Sequence, residues 1–271
     1  MSQNNILVPI DFSAQSLIAL EQSYSLAKHT GSSVTITVLL LDVINNMDEY
    51  SKSKFDKLAK QGATQSDIKT NIMVAKGNPY KQIIKTAKEI NAMIIVMGLN
   101  SSESIRNMGN NAFRFLRESP YPVITIKGKS HRKGCKNIVL PLDLTQETRE
   151  KVNKAIEFAK FYNAAIRVIS VRLRKDRHRE NKLIFFSHQV QKFIKSKGVT
   201  CTIKTMEGED IAPLVIDYAN EAEADLIMIM SQPEINFKEL FVGTTAQKIV
   251  NLSEIPVLSI RPMRRKSVAN Y

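Results

Sequence analysis

Two acidic residues and two glycines lie in patterns that could bind an anionic, hydroxyl-bearing small molecule such as a nucleotide. Asp11 ends the short apolar run Ile6–Ile10 and Gly109 stands near the start of a helical pattern, while Asp143 and Gly243 hold similar positions further along. A carboxylate at a strand end can accept a hydrogen bond from a ribose hydroxyl or an adenine amine, and a glycine at a helix start lets backbone N–H groups approach a phosphate. The same residues also fit a structural role, because aspartate caps helices and glycine permits turns.

No constellation of residues in the sequence points to catalysis or to a metal. The four histidines, His29, His131, His178 and His188, have no metal-ligand spacing with one another or with a cysteine. A Gly-x-Ser-x-Gly elbow, a P-loop and a cysteine–histidine pair are all absent from the sequence. We therefore expect neither enzymatic activity nor a metal site.

Composition and charge favour an anionic partner without selecting one. The chain has 271 residues with 39 basic and 26 acidic side chains, a formal net charge of +13. The basic segment Arg172–Lys182 lacks interleaved aromatic residues for base stacking, so a solvated loop is the simpler interpretation and nucleic acid is not expected as a partner. No window approaches the roughly 18 uncharged apolar residues needed to span a bilayer, so no membrane partner is expected.

The two cysteines indicate the compartment. Cys135 and Cys201 are too few for a disulfide framework, which fits a reducing environment, and we expect a cytoplasmic protein. Cys201 lies in an apparent strand and is expected to be buried. Cys135 lies beside a polar stretch and is expected to be exposed.

An internal repeat divides the chain into two similar halves. Ile6–Ser13 recurs as Ile138–Thr145 at an offset of 132 residues, and Ala92–Met97 recurs as Ala224–Ile229 at the same offset. A repeat of this length is a whole domain, and the polar stretch between the copies is a linker. The resulting division is a first domain at 1–128, a linker at 129–136, a second domain at 137–262 and a basic tail at 263–271.

Strand and helix signals alternate within each half. Val34–Leu41 is apolar on both faces, as expected of a strand buried on both sides, and a polar helical segment follows around Phe55 and Leu58. Asn78–Pro79 has the pattern of a helix cap followed by the first helical residue. One later helix is expected to pack through the stripe Phe186, Val190, Phe193 and Ile194. We therefore predict an α/β fold with two tandem open, mostly parallel five-stranded sheets flanked by helices.

The ordered motifs resemble those of the universal stress protein family in its tandem two-domain form. The first half contains Pro9–Ser13, Gly77–Pro79, Ile94–Gly98 and Pro122–Val123, and the second contains Pro141–Thr145, Gly208–Asp210, Ala224–Ile227 and Pro256–Val257. The match covers nearly the whole chain outside the linker and the tails. The resemblance implies an adenine nucleotide alpha hydrolase-like fold and a site for ATP or AMP, with Mg²⁺ accompanying ATP.

Carried over residue by residue, the resemblance assigns ligand contacts in both halves. In the first half these are Pro9, Asp11, Leu40, Met97, Gly98, Ser101, Gly109, Asn110 and Asn111, and in the second they are Asp143, Gly243, Thr244 and Thr245. The family's ATP-binding members carry Gly-x2-Gly-x9-Gly-Ser/Thr after the fourth strand, and neither half keeps it intact. Ser101 replaces the second glycine in the first half, where the loop is also two residues short, and Met230 and Pro233 replace the first two glycines in the second half. The first half is thus the better candidate.

The resemblance implies a non-catalytic regulator in the stress response that binds adenine nucleotide in its first half. A nucleotide-free interaction scaffold with degenerate loops is the alternative. Family domains pair through their last strands, so we expect Val123–Ile126 and Val257–Ile260 to pair within one chain and cover two sheet edges. This internal pseudo-dimer could itself form a homodimer.

Overall fold

The computed structural model describes ten strands and seven helices. The described residues are 4–30, 33–42, 53, 57, 67–99, 108–129, 132–142, 148–173, 177–231 and 240–262. The strands are β1 (Asn4–Ile10), β2 (Val34–Asp42), β3 (Thr70–Lys76), β4 (Ala92–Gly98), β5 (Val123–Ile126), β6 (Asn137–Leu142), β7 (Ala165–Leu173), β8 (Cys201–Gly208), β9 (Leu226–Met230) and β10 (Val257–Ile260). The helices are α1 (Ala14–Lys28), α2 (Pro79–Glu89), α3 (Met108–Glu118), α4 (Thr148–Tyr162), α5 (Arg177–Ser196), α6 (Ile211–Glu221) and α7 (Leu240–Leu252). Phe55 and Leu58 lie outside the described residues, although Ser53 and Lys57 beside them are helical.

All ten strands belong to one sheet, in the order β3-β2-β1-β4-β5-β10-β9-β6-β7-β8. Within each half the neighbouring strands are parallel, as predicted. The halves join through an antiparallel pairing of β5 with β10, in which Val123 lies opposite Ser259 and Thr125 opposite Val257. The expected pairing of the last strands is confirmed. The two predicted five-stranded sheets therefore merge into one sheet of ten, because each last strand would otherwise expose unpaired backbone groups.

Each face of the sheet carries its own hydrophobic core, and each core runs across both halves. Apolar residues of α1, α4 and α5 pack on one face, around Ile6, Ile124, Ile138 and Leu258. Apolar residues of α2, α3, α6 and α7 pack on the other face. Strands buried on both sides explain the continuous Val, Ile and Leu runs of the sequence.

Side-chain caps fix where three of the helices begin. The Ser13 hydroxyl accepts a hydrogen bond from Ser16 N, and Asn78 and Asp210 accept from the first turns of α2 and α6. Gly77 has φ +104°, a left-handed conformation that glycine adopts without a side-chain penalty. The predicted turn and N-cap at Gly77–Pro79 are confirmed.

The segment between the halves is docked on α1. Gln22 both donates to the Arg132 carbonyl (3.1 Å) and accepts from Arg132 N (2.6 Å), and Gly134 N donates to Ser25 Oγ (2.8 Å). This docking carries Cys135 into the core, where it is only 3% exposed. The expectation that Cys135 is exposed is therefore wrong. The polar residues beside Cys135 suggested that its side chain is exposed to solvent, whereas their backbone hydrogen bonds hold the segment against the helix.

Among the described residues, none of the helices combines the length and the apolar character that crossing a bilayer requires.

Candidate functional site

In the first half, the strand order reverses between β1 and β4. From β1 the chain proceeds outward to β2 and β3, and it then crosses back to β4 on the other side of β1. The carboxyl ends of β1 and β4 are Ile10 and Gly98. In open parallel sheets, ligands bind in the crevice outside such strand ends. Asp11 follows β1 directly and is exposed.

Asp11 forms a tight turn into α1 with one of its two carboxylate oxygens. Its Oδ1 accepts from Ser13 N (3.0 Å) and from Ser13 Oγ (2.6 Å). Phe12 between them has φ +62°, a conformation that is uncommon for residues other than glycine, and its ring packs against the core. Within the described residues, Asp11 Oδ2 has no hydrogen bond. The exposed side chain thus supports the helix start and keeps one carboxylate oxygen without a partner among the described residues.

Gly98 is required by the packing of α1. A Cβ atom added at Gly98 would lie 2.4 Å from the Gln15 carbonyl carbon and 2.4 Å from Ser16 N. Those are backbone atoms of the first helical turn and cannot move aside as a side-chain tip can. The glycine lets β4 and α1 approach closely, which gives a structural reason for its presence.

Three other predicted contact residues of the first half are core side chains. Pro9 is buried, and Leu40 and Met97 are 2% and 8% exposed. Leu40 belongs to the core of one sheet face and Met97 to the core of the other. Only their backbone atoms could face a ligand at the strand ends.

Three predicted contact residues of the first half lie at the start of α3. The helix begins at Met108, which places Gly109, Asn110 and Asn111 in its first turn. Backbone N–H groups of a first helical turn lack intrahelical acceptors and carry the positive end of the helix dipole. Ser101 lies outside the described residues, as does the rest of 100–107.

The corresponding positions of the second half differ from those of the first. Asp143 lies outside the described residues. Gly243, Thr244 and Thr245 lie inside α7, which already begins at Leu240. At the end of β9, Met230 is 8% exposed, where the first half has Gly98.

Sequence reasoning missed Ser231, which follows β9 and connects the two halves. Ser231 is 2% exposed, and its hydroxyl donates to the Leu116 carbonyl of α3 at 3.0 Å. Serine after a strand carries no distinctive signal, so only the fold reveals this contact.

A model of the universal stress protein family matches the chain twice, over residues 3–127 and 134–261. The chain belongs to the universal stress protein family. The two matched segments are in tandem, as the internal repeat predicted. No curated protein sequence matches this universal stress protein.

Solved structures share the fold across nearly the whole chain. A universal stress protein from Archaeoglobus fulgidus DSM 4304 is 18% identical, covers 96% of each chain and has a TM-score of 0.70. A protein of unknown function from Pseudomonas aeruginosa PAO1 is 17% identical, with coverage of 96% of this chain and 93% of its own and a TM-score of 0.69. A universal stress protein crystallised in complex with cAMP matches 48% of this chain and 99% of its own, at 15% identity and a TM-score of 0.40. At these identities the whole-chain matches show the fold.

The described surface of this universal stress protein also has a polar depression of about 390 Å³ at the start of β6. It is lined by Arg132, Lys136, Asn137, Ala219, Asn220, Glu223 and Asp225. Asp225 Oδ2 accepts from Lys136 N (2.7 Å) and Asn137 N (2.9 Å), so this carboxylate anchors the segment entering β6. The depression lies at the amino ends of its strands, away from the crevice expected to bind ligand. No cluster of potential metal ligands occurs among the residues that the structure describes.

Proposed function

We propose that this universal stress protein is a cytoplasmic, non-catalytic regulator of the stress response that binds an adenine nucleotide in the crevice of its first half. One observation carries the proposal. Asp11 is an exposed carboxylate at the point where the strand order reverses, and its Oδ2 has no hydrogen bond to any described residue. Such an acceptor suits a ribose hydroxyl or an adenine amine.

The residues of the first half fit the two ends of a nucleotide. Asp11 would hold the nucleoside, and the first turn of α3 at Gly109 and Asn110 would receive the phosphates through backbone N–H groups. ATP or AMP is the proposed ligand, with Mg²⁺ accompanying ATP. A bound nucleotide would contact the ends of both β1 and β4 and place negative charge between them. The shape and charge of this surface would then depend on the nucleotide concentration.

Calorimetric titration with AMP, and with ATP plus Mg²⁺, tests the proposal on the full chain. Asp11→Ala is expected to weaken binding by roughly tenfold or more, because it removes a charge-assisted hydrogen bond. Asn78→Ala is the control, since it removes the α2 cap and leaves Asp11 and its hydrogen bonds untouched. It should lower stability by about 1 kcal/mol and leave affinity nearly unchanged. No heat at millimolar nucleotide, or equal losses in both variants, would refute the site.

A nucleotide-free interaction scaffold is the second candidate, and the second half favours it. Met230 stands where the first half has glycine, and α1 packing alone accounts for Gly98. The two candidates differ in what the purified protein carries. Heat denaturation followed by ultraviolet absorbance of the supernatant detects released nucleotide, and the chain contains no tryptophan to obscure it. Phosphate release from ATP above background would refute the non-catalytic part of the proposal.

A further inference from the structure

Helix α5 exposes two phenylalanines on its outer side. Phe185 is 66% exposed and Phe193 is 40% exposed. Val190 and Ile194 of the same helix pack on the sheet and belong to the core. Phe193 was expected to lie in that packed stripe, and the structure places it outside. Large apolar side chains exposed together on one element commonly mark a contact surface.

The chain segment that carries these two rings is basic. Residues 181–206 contain five lysines and neither aspartate nor glutamate. Lys182 and Lys192 are exposed and lie one turn before and two turns after Phe185 on its side of the helix. The Lys197 ammonium lies 5.3 Å from the centre of the Phe193 ring. We name Lys182, Phe185, Lys192 and Phe193, together with Lys197 just beyond the helix end, the α5 outer face.

We propose that the α5 outer face docks on an anionic lipid surface. Phenyl rings surrounded by lysines match the two layers of such a surface, because rings enter the boundary of the acyl chains while ammonium groups meet lipid phosphates. The shape favours lipid over the alternatives. The outer side of a helix is convex, and a lipid surface adapts to a convex contact, whereas single-stranded nucleic acid is held in a groove.

This docking differs from the expectation that the chain has no membrane partner, which rested on the length of apolar segments. A surface contact needs no spanning helix. It is also independent of the proposed nucleotide site, because α5 belongs to the second half and Asp11 to the first. Failure of one proposal therefore leaves the other standing.

Co-sedimentation of the full chain with sucrose-loaded vesicles tests the docking. Vesicles of phosphatidylcholine alone are compared with vesicles containing phosphatidylserine, at low and at physiological salt. We expect binding to the anionic vesicles only, weakening as salt rises. Phe185→Ala with Phe193→Ala, and separately Lys182→Glu with Lys192→Glu, should each lower the partition coefficient by roughly tenfold or more. Circular dichroism confirms that each variant is folded.

Lys81→Glu with Lys88→Glu is the matched charge control. Both lysines are exposed on α2, which packs on the opposite face of the sheet, so this variant should bind anionic vesicles almost as the native chain does. Equal loss in this control, equal binding to neutral vesicles, or no binding to either kind would overturn the proposal. Binding of a uridine oligonucleotide that depends on Phe185 and Phe193, without vesicle binding, would also overturn it and assign the face to nucleic acid.

Discussion

Ile124 and Leu258 lie opposite each other across the antiparallel junction between the two halves. They are 1% and 0% exposed, and both belong to the core beneath α1, α4 and α5. Beside them, Thr125 Oγ1 donates to the Val257 carbonyl at 3.3 Å. The hydrophobic contacts therefore continue from one half into the other, and we infer that the two halves unfold as one unit.

Ile124→Ala and Leu258→Ala test that inference. Each removes buried methyl groups at the junction and should lower the free energy of unfolding by about 2–5 kcal/mol. Because the two side chains lie on paired positions, the double variant should deviate from additivity. Urea unfolding followed by circular dichroism should show a single transition in every variant.

Hydrogen exchange locates the effect of the junction substitutions. Amides of β1 and β6, which lie in different halves, should both exchange faster in Ile124→Ala. Two separate unfolding transitions, or faster exchange confined to the half that carries the substitution, would show that the halves are independent. Ile83→Ala, buried in the other core, provides a comparison of similar chemistry away from the junction.

Much of the fold could be predicted from the sequence because its inner strands are buried on both faces. The apolar runs Ile94–Met97 and Val34–Leu41 indicate such buried strands, and the internal repeat indicates two domains. Phe193 was misassigned because a 3.6-residue period does not separate the edge of a packed stripe from the exposed face beside it. The exposure of Cys135 was predicted wrongly because the hydrogen bonds that hold its segment on α1 involve backbone atoms, which composition does not reveal.

The candidate site was less predictable than the fold. Asp11 was identified from its position after an apolar run, and the structure places it at the strand-order reversal. Gly98 could be found as a glycine, yet its reason, the approach of Gln15 and Ser16, depends on tertiary geometry. Leu40 and Met97 came from the family pattern, which does not distinguish a backbone contact from a side-chain contact.

Both thiols should be unreactive in the folded protein. Burial raises the pKa of Cys201 to about 11 and raises the pKa of Cys135 still further, with the Asp225 carboxylate adding to the shift. Since the thiolate is the reactive form, a thiol-exchange reagent at pH 8 should label neither cysteine in the native state. Both should react at once in guanidinium chloride. Rapid native labelling of Cys135 would show that the segment 132–136 detaches from α1.

Asp210 should stabilise the protein only above the pH at which it protonates. A hydrogen bond from the Lys248 ammonium, 2.7 Å from Oδ2, is the main cause that lowers the pKa of Asp210. A lowered folded-state pKa gives stability that is present above the unfolded pKa of about 4 and is lost as pH falls through the folded value. Asp210→Asn keeps a capping oxygen and removes the ion pair.

Asp210→Asn should lower the free energy of unfolding by less than about 1 kcal/mol at pH 7, because the Asp210–Lys248 pair is exposed to solvent. This difference should vanish near pH 2 and shrink in 1 M salt. Urea unfolding at the two pH values and two salt concentrations measures this. A difference that persists unchanged at low pH would assign the effect to the cap instead of the charge.

Gly98→Ala should be among the most damaging single-methyl additions in the described chain. The new Cβ would overlap the Gln15 and Ser16 backbone, so α1 must move away from β4. Forced displacement of packed elements typically costs about 1–3 kcal/mol, and the same shift would move Asp11 and its turn.

Gly198→Ala is the comparison, since its Cβ meets no atom within 4 Å and only its φ of +78° opposes the change. That left-handed strain should cost about 1 kcal/mol. If urea unfolding shows Gly98→Ala to be as mild as Gly198→Ala, then α1 is not seated on β4 as described, and the crevice beside Asp11 has a different shape.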